Sequence, residues 1–118
     1  MKAIFTSLAL LIGTLFCLAD TAPSFPGGDQ AMKKYISENT RYPASAKDNG
    51  VEGIVTVGFL VATDGSLQQM KVVKFVDPDL EKEAIRVVSG MPKWIPAEKN
   101  GTPLEAPSKV DIPFILEE

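Results

Sequence analysis

The stretch that decides the fold is Gly53–Val76, "GIVTVGFLVATDGSLQQMKVVKFV". Two runs rich in Val, Ile and Phe flank Asp64-Gly65, a dipeptide that favours a two-residue hairpin turn because both central positions need positive φ. Counting outward from such a turn pairs Val61 with Gln68, Phe59 with Met70, Val57 with Val72 and Val55 with Lys74. In that register Val55, Val57, Phe59, Met70 and Val72 share one face, while Thr56, Gly58, Gln69 and Lys71 share the other. The expectation is an antiparallel hairpin with one dry face, which needs a second layer to cover it.

The flanking segments supply that layer. In "VDPDLEKEAIRVVSGMP", Asp77 stands where a helix N-cap is wanted, Pro78 at the first helical position, and acidic residues in the first turn. Leu80, Ala84, Ile85, Val88 and Met91 recur at helical spacing, and Gly90 with Pro92 ends the helix. Upstream, Ala31, Met32, Tyr35 and Ile36 form a shorter amphipathic stripe between Asp29 and Asn39, stopped by Tyr42-Pro43, with a turn at Asn49-Gly50. Asn100-Gly101 marks another turn.

The chain closes with "KVDIPFILEE", in which Val110, Ile112, Phe114 and Leu116 alternate with Asp111, Pro113, Ile115 and Glu117. This is a strand with one apolar face, and Pro113 confines it to a sheet edge because proline has no N–H to donate. One helical crossover leaves the last strand parallel to the second, so in an antiparallel sheet it lies beside the first. The expected fold class is α+β: a two-layer arrangement of a three-stranded antiparallel sheet, order 2-1-3, with two helices packed on one face.

The first 19 residues read differently. Lys2 precedes an uncharged apolar run from Ala3 to Ala19, then Asp20, which is the layout of a secretory signal peptide. Residues 1–19 are therefore expected as a signal peptide, 20–28, rich in Pro and Gly, as a flexible lead-in, and 29–118 as the folded domain. Cleavage after Ala19 removes Cys17, the only cysteine, from a chain that has no histidine, so disulfides do not stabilise it in the periplasm or outside the cell. If retained, the run is a short inner-membrane anchor, with about ten residues, or about 35 Å, between it and the first helix.

A net charge of −3 points to neither nucleic acid nor an anionic membrane surface as partner. Without histidine, and with Cys17 in the leader, the usual triads and Cys/His zinc sites are missing. The acidic residues Asp77, Asp79, Glu81 and Glu83 surround a helix start, as a cap and a solvated turn do. Trp94, between Pro92 and Pro96, reads as a core or edge anchor rather than a ligand platform. Neither cofactor nor metal is called for, and binding is expected rather than catalysis.

Taken together, Tyr42-Pro43, Ala46, Gly53, the alternation Val55, Val57, Phe59 and Val61, Asp64-Gly65, the helix at Ala84–Val88, Trp94 with Pro96, and Phe114 with Leu116 resemble the C-terminal domain of TonB, the energy transducer of Gram-negative envelopes. "FPGGDQAMKKYISENTRYP" is similar to the form of this domain found in Bacteroidetes. The resemblance implies two helices against a three-stranded sheet, and binding of a short peptide, the TonB box of an outer-membrane receptor, by strand addition beside the last strand. Carried over by position, the contacts it implies are Thr40, Arg41, Tyr42, Val110, Asp111, Ile112, Pro113, Phe114, Ile115 and Leu116. The partner it implies is a TonB-dependent receptor or another envelope protein. The open edge also suits pairing with a second copy of the chain.

Overall fold

The computed structural model describes residues 20–116; the segment expected as a leader and Glu117-Glu118 lie outside them. In chain order the elements are α1 (Gly28–Asn39), α2 (Ala44–Asp48), β1 (Gly53–Val61), β2 (Leu67–Lys74), α3 (Pro78–Ser89), β3 (Ala97–Lys99), β4 (Thr102–Leu104) and β5 (Ala106–Phe114). The main sheet has the order β2-β1-β5, with both pairings antiparallel, so the strand rich in Val is central as its hydrophobicity requires. The fold is α+β. Two pieces have no counterpart in the sequence reading, the single helical turn α2 and the β3–β4 hairpin. Five and three residues are too few for a periodic signal. The β3–β4 turn at Asn100-Gly101 was expected, and both residues have positive φ, 53° and 79°.

The β1–β2 turn differs from the two-residue form. Gly65 N–H donates to Ala62 O (2.8 Å) and Ala62 N–H to Ser66 O (2.9 Å), which closes a three-residue loop over Thr63–Gly65. Only Gly65, at φ 89°, is left-handed. Asp64 Oδ1 instead accepts from Ser66 N (3.0 Å) and Ser66 Oγ (2.7 Å), so the aspartate bonds its own turn rather than adopting positive φ. As a result Val61 faces Leu67, not Gln68, and Lys74 faces Thr56, not Val55. The expected Val57–Val72 pair is present, and register shifts on either side of it absorb the difference, one of them at Gln69 with φ 52°.

The dry face is as expected. Val55, Val57 and Phe59 are buried, with Met70 and Val72 packed at the margin, against Leu80, Ala84, Val87 and Val88 of α3. Asp77 caps α3, its Oδ2 accepting from Asp79 N (2.9 Å) and Leu80 N (3.2 Å). Trp94 is a core anchor: its ring lies edge-on to Phe59 (5.1 Å) and Phe25 (6.0 Å), and its backbone N–H donates to Gly65 O (2.8 Å). The opposite face is less wet than expected, because Thr56 and Gly58 are also buried beneath Asp111 and Val73.

The segment expected as a flexible lead-in is pinned. Thr21 and Ser24 form antiparallel bridges to Glu98 and Ile95, and Phe25 is buried beside Tyr35. Burying one aromatic ring outweighs the Pro- and Gly-rich composition around it.

Candidate functional site

β5 begins at Ala106 and ends at Phe114, earlier at both ends than the expected Val110–Leu116. Pro107 and Pro113 explain why so long a strand tolerates two prolines. They oppose Leu60 and Ile54 of β1, six residues apart and so in the same ladder phase. Neither has an N–H, and this phase is the one whose backbone groups face away from β1. Lys109 and Asp111 share it. The free edge therefore offers the N–H groups of Lys109 and Asp111 and the carbonyls of all four residues, while Val110, Ile112 and Phe114 point into the core.

The sheet has a second open edge, along β2, but the two differ. β2 is interrupted by register shifts on either side of Val57–Val72, which tilt its backbone groups out of line. The β1–β5 ladder pairs every residue from Gly53↔Phe114 to Val61↔Ala106 without a break. A straight strand can extend β5 more readily than β2.

Beside the β5 edge lies a groove of about 700 Å³, walled by Lys33, Ile36, Ser37 and Thr40 of α1 and its C-terminus on one side and by Asp111, Pro113, Phe114 and Ile115 on the other. Tyr42 and Ile54 complete it. Tyr42 is fixed edge-on to Phe114 (5.7 Å), and its hydroxyl donates to Val51 O. Burial pushes the Tyr42 phenol above its ordinary range, with the Glu52 carboxylate adding to the effect. Ile115 is two-thirds exposed (66%) and adds apolar surface to the groove. Thr40 Oγ1 is buried without a hydrogen-bond partner among the described residues.

Of the residues singled out from the sequence, the structure gathers Thr40, Tyr42, Asp111, Pro113, Phe114 and Ile115 at this groove. Val110 and Ile112 are buried in the core, so only their backbone lies on the strand. Leu116 lies beyond β5, where its N–H donates to Glu52 Oε2 at 2.5 Å. Arg41 faces the opposite way, its N–H donating to Glu83 Oε2 at 2.7 Å. Lys33, Ile36, Ser37 and Ile54 line the groove although the sequence does not single them out; Pro107 and Lys109, also absent from the sequence reading, share the outward phase of β5 but lie outside this groove. The α1 residues read only as a helix face, and nothing local in their sequence says what lies opposite it.

Residues 38–116 match the family model described as Gram-negative bacterial TonB protein C-terminal. The chain belongs to the TonB C-terminal family. It is 34% identical over 73 residues to Protein TonB of Helicobacter pylori strain 26695, covering 61% of this chain and 26% of that protein. Against Protein TonB of strain J99 it is 43% identical over 49 residues, 42% of this chain and 18% of that protein. The chain thus spans about a quarter of the length of the curated TonB it matches over the longer stretch (26%). Two NMR solution structures of Helicobacter pylori TonB-CTD share the fold. For residues 179–285 the TM-score is 0.56 at 32% identity, covering 73% of this chain and 78% of that one. For residues 194–285 it is 0.55 at 29% identity, covering 75% and 94%.

Proposed function

We propose that this chain is a protein-binding module of the cell envelope that takes an extended peptide of the TonB-box kind as an extra strand beside β5, within TonB-dependent transport. The observation that supports it is the outward phase of β5, which presents two N–H groups and four carbonyls in line, with a groove beside its Asp111–Pro113 end. Main-chain hydrogen bonds would give such a complex its affinity, and the groove its side-chain preference. Ile36, Tyr42, Phe114 and Ile115 suit an apolar side chain, with Lys33 at the rim favouring an acidic neighbour. Each proline omits one donor, lowering the gain by about 0.5 to 1.5 kcal/mol relative to an unbroken edge. The module works in the periplasm or outside the cell with its leader cleaved, and as a membrane-anchored form if the leader is retained. Among the described residues no helix is long and apolar enough to cross a membrane.

Calorimetric titration of the purified protein with synthetic TonB-box peptides tests this. Saturable binding that Ile115→Asp abolishes is the expected result. Heats that stay at dilution level up to millimolar peptide would remove strand addition as the function.

A second reading has its own observation. The outward-phase residues Pro107, Lys109, Asp111 and Pro113 are symmetric about Val110. Two copies paired antiparallel through Val110 would set each Lys109 opposite a partner Asp111 and each Pro107 opposite a partner Pro113, so that both missing donors meet. Sedimentation equilibrium decides: a monomer at all concentrations excludes self-pairing, whereas a dimer that Lys109→Asp disperses supports it.

A further inference from the structure

The groove wall formed by Thr40 and Tyr42 belongs to a short connection between α1 and α2 that has no secondary structure of its own. Such a segment keeps a fixed position only if its backbone groups are tied down. Thr40 N–H donates to Ile36 O at the end of α1 (2.9 Å) and the Tyr42 ring is held by Phe114 and Val51, but the backbone ties of Asn39 O and Arg41 N–H come from α3. Glu83 Oε2 accepts from Arg41 N–H at 2.7 Å. The same carboxylate takes Arg86 in a fork, Nε to Oε1 at 2.8 Å and Nη2 to Oε2 at 2.7 Å. Arg86 Nη2 then donates to Asn39 O at 2.7 Å. Two residues one turn apart on α3 thus hold the backbone on both sides of Thr40.

Each bond in this set carries a charge on donor or acceptor, the stronger class of hydrogen bond. The Glu83 side chain is 12% exposed while that of Arg86 is 53% exposed, so the acceptor of the Arg41 N–H is the sheltered member. The hydrogen bonds from Arg86 hold the Glu83 carboxyl below its ordinary range, with the Arg41 N–H adding to the effect against the cost of burial. An exposed i,i+3 ion pair by itself contributes little to stability. Nothing about a solvated helix face requires the second tie, to a backbone N–H 42 positions away in the chain.

We propose that Glu83, with Arg86, is a positioning residue of the β5 groove. It touches no bound peptide; it fixes the Asn39–Arg41 backbone so that Thr40 and Tyr42 keep their places in the groove wall beside Pro113 and Phe114. The role rests on the groove being the peptide site. Without the clamp the connection moves, the α1 wall loses its fixed distance from β5, and binding has first to order the segment.

Two measurements on the full chain separate this role from a general contribution to folding. Hydrogen exchange followed by NMR reads the Arg41 amide without any peptide. In Glu83→Ala it should exchange roughly tenfold faster or more, with the β1 amides unchanged. In Glu83→Gln, whose amide oxygen still accepts, it should recover most of its protection. Calorimetry with the synthetic TonB-box peptides that bind the parent should show affinity falling about tenfold in Glu83→Ala and largely restored in Glu83→Gln. Unchanged Arg41 exchange in Glu83→Ala would show that the clamp does not hold the segment. Faster Arg41 exchange with undiminished affinity would show that it does not position the groove. A parent that binds none of the peptides would overturn the peptide-site reading and the positioning role with it, and the exchange data would then still report whether the clamp exists.

Discussion

Thr56 Oγ1 donates to Asp111 Oδ1 at 2.7 Å from directly opposite positions on β1 and β5. The aspartate side chain is thereby turned toward the sheet while its backbone N–H and carbonyl face outward, so one residue both secures the register and serves the free edge. Thr56 is the one buried polar side chain of the central strand, at 8% exposure, and Asp111 is its acceptor.

Replacing Asp111 by Ala leaves that buried hydroxyl without an acceptor, which costs about 1 to 3 kcal/mol. Urea unfolding should show the loss in midpoint at unchanged slope. Thr56→Val combined with Asp111→Ala should recover part of it, because neither polar group is then stranded. A single variant as stable as the parent would mean that the pair does not secure the register.

Gly65 has φ 89°, and a Cβ built there would lie 2.2 Å from the Trp94 carbonyl oxygen. Gly65→Val should therefore destabilise the domain by about 3 kcal/mol or more, combining left-handed strain with a backbone clash. Gly65→Ala should behave almost as badly, since the clash begins at Cβ. Thermal unfolding checks both, and an alanine variant near the parent would contradict this turn geometry.

The strands and α3 were legible in the sequence because each carries many redundant signals. The alternation over Val55, Val57 and Phe59, and the Asp77-Pro78 cap, admit few other structures. The sheet order followed from one crossover and one proline. The turn is one residue longer than its Asp-Gly signal implies because Asp64 tolerates either conformation, and its choice depends on the hydroxyl and N–H of Ser66. The far wall of the groove was illegible for a different reason. Lys33 and Ile36 meet Pro113 and Ile115 only through tertiary packing, and the Glu83 tie to Arg41 spans 42 positions with no local pattern to announce it. Phe25 was hidden by the composition of its neighbours.

Glu83 gives a pH dependence with a definite sign. Its folded-state carboxyl lies below the ordinary value of 4.5, owing first to the Arg86 hydrogen bonds. The stability it contributes is complete above that ordinary value and is lost as pH falls through the lower, folded-state value. Denaturant titrations in this acidic window should show a shallower decline for Glu83→Gln than for the parent. Parallel curves would show that the carboxylate is not preferentially ionised in the folded state.

Pro113→Val restores an outward N–H to the edge. Peptide affinity should rise by about 0.5 to 1.5 kcal/mol, roughly two- to twelvefold. Weaker binding with unchanged fold would place the added strand elsewhere than beside Pro113.

The most direct test of strand addition is amide hydrogen exchange of the protein saturated with a TonB-box peptide, resolved residue by residue. The outward amides of Lys109 and Asp111 should become strongly protected, while the amides on the outer side of β2 should exchange as they do in the free protein. Protection that appears on β2, or leaves Lys109 and Asp111 exchanging at their free rates, would contradict strand addition at β5.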